Sequence, residues 1–80
     1  MNELEIKEKL KNFMVEDLGV DESILSYDTA LFGEGVGLDS IDSIEMISFI
    51  DDNFGVSMTG VAKENFYSID TLTAYIINNK

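Results

Sequence analysis

Gly37-Leu38-Asp39-Ser40-Ile41-Asp42-Ser43-Ile44-Glu45-Met46-Ile47 decides how this chain of 80 residues is read. A glycine-containing loop runs into a serine, and an apolar-periodic run follows as far as Phe54. Ile41, Ile44, Met46, Ile47, Ile50 and Phe54 recur at helical intervals, and Phe49 widens the stripe. The spacing predicts a helix over 40–54, stopped by Gly55. A stripe this broad implies contacts on more than one side, with two helices or with one helix and a partner. Asp39, Asp42 and Glu45 crowd its beginning with no basic residue nearby. Ser40 then has two readings. It caps the helix by accepting a bond from a free backbone N–H, or it presents its hydroxyl outward for chemistry.

On the N-terminal side, Ile6, Leu10, Phe13, Met14 and Leu18 predict an amphipathic helix over 3–18. Asn2 and Glu5 have the spacing of a capping box. Glu3–Lys7 and Glu5–Lys9 are i,i+4 pairs in the favourable orientation, and Gly19 ends the helix. The connection over 20–38 is long, with turn chemistry at Ser23, Asp28 and Thr29 and a loose second half at Gly33, Gly35 and Gly37. Ile24, Leu25, Tyr27, Leu31 and Phe32 are too apolar for a free linker and should fold it back onto the helices, with a short helical turn near 22–25. On the C-terminal side, Val61, Ala62 and Phe66 suggest one short helix within 57–66. Ser68 caps a last helix over 69–78, built on Ile69, Leu72, Tyr75 and Ile76 with Ile77 on its flank. No repeat or second domain interrupts the chain, so residues 1–80 form one small domain.

Composition removes whole classes of chemistry. Cysteine and histidine are both absent. There is thus no disulfide, no thiolate nucleophile, no Cys-based zinc site and no Ser-His-Asp arrangement. Ser40 and Ser43 have no basic side chain beside them that could activate a hydroxyl. Asp51-Asp52-Asn53-Phe54-Gly55 opens like a calcium loop, but Val56 stands where its glycine is needed, and no metal is expected. The N-terminal residues lack the basic and apolar segments of a signal peptide, and no run is long enough to cross a bilayer. A soluble, cytoplasmic chain is expected. Five lysines face sixteen acids, for a formal net charge of −11. No positive residue lies between Asn12 and Ala62, while Glu16, Asp17, Asp21, Glu22, Asp28, Glu34, Asp39, Asp42, Glu45, Asp51 and Asp52 do. Charge so segregated disfavours nucleic acid and anionic membranes and suits a basic protein surface.

Gly37-Leu38-Asp39-Ser40-Ile41, followed by Asp42-Ser43-Ile44-Glu45-Met46, resembles the Gly-x-Asp-Ser-Leu signature of acyl carrier proteins. The resemblance spans nearly the whole chain: Leu18-Gly19-Val20 after the first helix, the long loop, Asp51 to Gly55, and Ser68 to Ile76. It implies an all-α four-helix bundle with a short third helix and a long loop between helices one and two. It also implies a carrier and not an enzyme. Ser40 would bear 4′-phosphopantetheine, added from coenzyme A by a phosphopantetheinyl transferase, and the arm's thiol would hold acyl groups as thioesters. Asp39, Asp42, Glu45, Asp51 and Asp52 would face basic patches on acyl-transferring and condensing enzymes. Ile41, Ile44 and Ile47 would line the apolar approach to the acyl chain. A monomer is expected.

Asp42-Ser43-Ile44 repeats the Asp-Ser-Ile triplet, which makes Ser43 a rival site one turn inside the helix. Leu38, Ile41 and Ser48 depart from the commoner family pattern, and the loop over 31–36 looks longer than in housekeeping fatty-acid carriers. These departures point towards a specialised lipid or polyketide-type carrier. The alternatives are a peptidyl or aminoacyl-type carrier, a divalent-cation binder, and an unmodified acidic interaction module in which Ser40 is only a cap.

Overall fold

Helix α1 starts where its capping box says it should. In a computed structural model, which describes residues 2–80, α1 spans Glu3–Glu16. Asn2 Oδ1 accepts from the Glu5 N–H at 2.8 Å, and the Glu5 carboxylate accepts from the Asn2 N–H at 3.4 Å. That return bond occupies Glu5, and the expected Glu5–Lys9 pair does not form; Lys7 and Glu3 do pair, at 3.0 Å. The helix is shorter than the predicted 3–18. Bonds from Leu18 N–H to the Phe13 carbonyl and from Val20 N–H to the Met14 carbonyl turn the chain out after Glu16.

Helix α2 spans Ser40–Phe54 and helix α3 spans Ile69–Asn78. Gly55 stops α2 with φ 68°, a left-handed conformation that costs a side-chain-bearing residue about 1 kcal/mol more than glycine. Ser68 and Thr71 open α3 with reciprocal bonds of 3.0 and 3.2 Å. Among the described residues all regular structure is helical, apart from one isolated bridge between Phe32 and Leu38. The described residues are therefore all-α, with three α-helices and two short 3₁₀ turns, Glu22–Ile24 and Lys63–Phe66. The short helix expected within 57–66 is this second turn, preceded by a non-helical segment with a turn at Thr59–Gly60. Thr71 and Thr73, which could tempt a strand assignment, both lie on α3.

The core is a single cluster. Ile6, Leu10 and Met14 of α1, Met46 and Ile50 of α2, and Ile69, Leu72 and Ile76 of α3 are all fully buried. Each such side chain contributes roughly 1.5–3 kcal/mol relative to exposure. Phe13 stacks on Phe49 with ring centroids 4.2 Å apart, joining α1 to α2. Leu25 and Leu31 bring the long connection into the same cluster, as its composition requires. Ile24 does not join them; it is exposed on the 3₁₀ turn. No helix among the described residues is long and apolar enough to cross a membrane.

Two polar residues of α3, Thr73 and Asp70, give testable consequences. Thr73 is 1% exposed, and its hydroxyl has no hydrogen-bond partner among the described residues. An unpaired buried hydroxyl costs about 1–3 kcal/mol, so Thr73→Val, which keeps the shape, should raise unfolding stability by about 1 kcal/mol in urea denaturation. Lys7 bridges Glu3 and Asp70, each at 3.0 Å, and the bonds to Asp70 and then Glu3 raise its pKa above the ordinary 10.5. A raised lysine pKa adds stability that is present below the unfolded-state value and lost as pH climbs through the folded-state value. Lys7→Met should therefore lower the melting temperature at neutral pH, and the gap from the parent should close above pH 10.5.

Candidate functional site

Asp39, not Ser40, is the residue that caps α2. One Asp39 carboxylate oxygen accepts from the N–H groups of Ile41 at 3.0 Å and Asp42 at 3.2 Å. The Asp42 carboxylate reaches back to the Asp39 N–H at 3.0 Å. This is a capping box made from two acids, and negative charge at a helix start is also favoured by the helix dipole. The reading of Ser40 as the cap is thereby corrected. Ser40 is the first helical residue, is exposed, and has no hydrogen bond to its hydroxyl among the described residues. Ser43 differs. Its hydroxyl donates to the Ser40 carbonyl at 2.7 Å.

The loop before Ser40 is held from two sides. Leu31 N–H donates to the Tyr67 carbonyl at 2.8 Å, and Asp70 N–H donates to the Tyr27 carbonyl at 2.9 Å. Val36 N–H then returns to the Ala30 carbonyl, and Leu38 N–H to the Leu31 carbonyl. Gly35 passes so close to Ala30 that a Cβ there would overlap its carbonyl oxygen. Leu38 is buried immediately before the cap, which fixes the direction in which α2 begins.

Between this loop, α2 and the segment after it lies an open cleft of about 650 Å³. Phe32, Ile47, Met58, Val61, Phe66 and Tyr67 give it apolar walls, and Ser40 and Ser43 stand on its α2 side. Met58 was not singled out by the sequence, and Val61 was marked only as part of a short helix within 57–66, because nothing in that stretch identifies a cleft-facing side.

Helix α2 divides into three faces. Met46, Ile50 and Phe54 point into the core. Ser40, Ser43 and Ile47 border the cleft. Ile41, Ile44, Glu45, Ser48, Asp51 and Asp52 are all exposed and, at 100° per residue, share the outward face. Ile41 and Ile44 are 67% and 66% exposed and lie outside the cleft lining, whereas Ile47 is part of it. Ile47 thus lines the cleft, and Ile41 and Ile44 lie on the outer surface beside the acids. Asp39 and Asp42 sit at the cap, next to Ser40 and off that outward face. Among the described residues no three acidic side chains converge as a metal site.

The exposed Ser40 hydroxyl therefore stands at the edge of an open, apolar-walled cleft. The profile of the family described as "Phosphopantetheine attachment site" matches residues 8–76. The chain is 32% identical over 74 residues to the acyl carrier protein of Phytoplasma australiense, covering 92% of this chain and 96% of the relative. It is 31% identical over 74 residues to that of Aster yellows witches'-broom phytoplasma, covering 92% and 96%. Onion yellows phytoplasma has an acyl carrier protein 31% identical over 72 residues, covering 90% and 93%.

The chain belongs to the acyl carrier protein family. Members carry phosphopantetheine and are carriers, not enzymes, and partners of this carrier are accordingly a phosphopantetheinyl transferase and acyl-handling enzymes.

Because Asp39 does the capping, the two neighbouring residues should respond differently to truncation. Asp39→Ala should destabilise the carrier by about 1 kcal/mol, the usual loss for an N-cap. Ser40→Ala should stay within about 0.5 kcal/mol of the parent, as for other surface changes. Paired urea titrations of the unmodified protein would check both.

Proposed function

We propose that Ser40 is the attachment point of 4′-phosphopantetheine and that this carrier shuttles acyl thioesters between biosynthetic enzymes. The observation that carries the reading is the free Ser40 hydroxyl at the mouth of the apolar cleft, left free because Asp39 satisfies the helix end. When bound, the arm supplies a terminal thiol for thioester chemistry, a sulfur that this cysteine-free chain lacks. Phe32, Ile47, Met58, Val61 and Phe66 keep water from an acyl chain lying in the cleft. Each methylene buried there gains about 0.8 kcal/mol. Ser43 borders the same cleft, but its hydroxyl is committed to the Ser40 carbonyl and is the poorer nucleophile for a modifying enzyme.

The outward face of α2 serves as the landing surface. Ile41 and Ile44 give it an apolar centre, and Glu45, Asp51 and Asp52 surround them with negative charge. Asp51 and Asp52 lie in the last turn of α2, where the helix dipole disfavours them, so their value lies outside the fold. Asp39 and Asp42 contribute charge while remaining in the cap. Basic patches on the transferase and on acyl-transferring and condensing enzymes would be steered to this face. The 3₁₀ turn Lys63–Phe66 takes the place of the short third helix of a four-helix bundle. The carrier acts as a cytoplasmic monomer, and the longer loop over 31–36 suits a specialised lipid or polyketide-type pathway.

An unmodified module with Ser40 as a plain cap loses its motive, since the cap is another residue. Coexpression with a broad-specificity transferase, followed by intact-mass measurement, tests the assignment. One phosphopantetheine adduct is expected on the parent and on Ser43→Ala, and none on Ser40→Ala. An adduct persisting on Ser40→Ala would refute the site.

A further inference from the structure

The cleft wall opposite α2 carries one cation. Between Asn12 and Asn79 the chain has a single basic residue, Lys63, and it lines the cleft together with Ser40 and Ser43. The remaining lysines are placed elsewhere. Lys7 is paired with Glu3 and Asp70, and Lys7 and Lys11 lie 5.5 and 5.9 Å from the centre of the Tyr27 ring. Lys63 is exposed, and among the described residues no carboxylate comes within ion-pair distance of it, although Glu64 follows it and also lines the cleft.

Fold stability gives no reason for a lysine there. Lys63 is the first residue of a four-residue 3₁₀ turn, too short for a helix dipole to favour or disfavour its charge. The residues before it, Thr59-Gly60-Val61-Ala62, are uncharged. The ammonium closes no ion pair and satisfies no helix end.

The opposite side of the cleft lacks a counter-charge. A phosphodiester on Ser40 enters beside Asp39 and Asp42, both negative. A helix start ordinarily offers free N–H groups to a phosphate. Here the Ile41 and Asp42 N–H groups are bonded to the Asp39 carboxylate, and the Ser43 N–H to the Asp39 carbonyl at 3.1 Å. We propose that Lys63 is the counter-charge for the phosphodiester of the arm, a positioning residue that draws the start of the arm against the wall formed by residues 58–67. This rests on the arm being attached within this cleft. Lys63 would then bias the arm towards lying in the cleft rather than extending into solvent, and salt would weaken the bias.

Titration of the lysine ammonium groups tests this directly. The apo and phosphopantetheine-loaded proteins are labelled by reductive carbon-13 methylation, which keeps the charge, and the Lys63 signal is assigned by its loss in Lys63→Gln. On loading, the Lys63 signal is expected to titrate at higher pH than in the apo protein, because a neighbouring negative charge favours the ammonium form. The rise should shrink in about 1 M salt, and Lys9 and Lys80 should not move. The phosphorus-31 signal of the loaded protein should shift in Lys63→Gln and return in Lys63→Arg. An unchanged Lys63 pKa, or a rise shared equally by Lys9 and Lys80, overturns the proposal. Peptide mapping of the same sample separates the two claims. An arm on Ser43 with the Lys63 shift intact refutes Ser40 and supports Lys63, whereas an arm on Ser40 without the shift does the reverse.

Discussion

One carboxylate at the start of α2 determines what the rest of the molecule can do. Asp39 takes both Ile41 and Asp42 N–H groups, and Asp42 returns the bond to Asp39. With the helix end satisfied from one position upstream, Ser40 enters the helix without any structural duty for its side chain. A serine acting as the cap would have its hydroxyl oxygen committed to the backbone, and its modification would then compete with the fold. Placing acid and serine side by side separates the two tasks. Capping belongs to Asp39, and the hydroxyl is left available.

The cleft depends on segments that look like connections. Residues 25–38 are irregular, yet Leu25 and Leu31 are fully buried and the backbone bonds from Leu31 to Tyr67 and from Asp70 to Tyr27 tie the loop to the start of α3. Phe32 reaches the cleft from this loop, and Met58, Val61 and Phe66 reach it from the segment that follows α2. Both walls are anchored at their ends and irregular between them. Such segments open more readily than packed helices, which suits the acyl-sheltering role proposed for the cleft.

Much of this arrangement is legible in the residues. The 3.6-residue spacing from Ile41 to Phe54 marks α2, the Asn2–Glu5 spacing and the capping residue Ser68 mark the starts of α1 and α3, and the apolar content of 24–32 signals a packed loop. The cap was less legible because Asp39 and Ser40 are both good N-cap residues, one position apart, and only backbone geometry distinguishes them. Periodicity also overstates burial on α2. Ile41 and Ile44 fit the stripe as well as Met46 and Ile50 do, but a helix with a core on one side and a cleft on another has an outward face left over. Ile24 fails for a local reason too, since it ends the 3₁₀ turn exposed while the next residue, the extended C-cap Leu25, turns into the core. The cleft itself was illegible, because its walls come from positions far apart in the chain that share no pattern.

The outward isoleucines argue for function more strongly than the acids do. Acidic residues on a surface help solubility whatever else they do. Burying an isoleucine, by contrast, gains roughly 1.5–3 kcal/mol, and a domain of this size has few kilocalories in reserve. Ile41 and Ile44 are one turn apart on α2, both about two-thirds exposed, with Glu45 beside them. That gain is not realised within the chain and becomes available only when another surface covers the pair. Carboxylates around an uncovered apolar pair also keep copies of the chain apart, because like charges meet before the isoleucines can. The same negative rim attracts a basic partner. Both properties are what the proposed landing surface for basic partners requires.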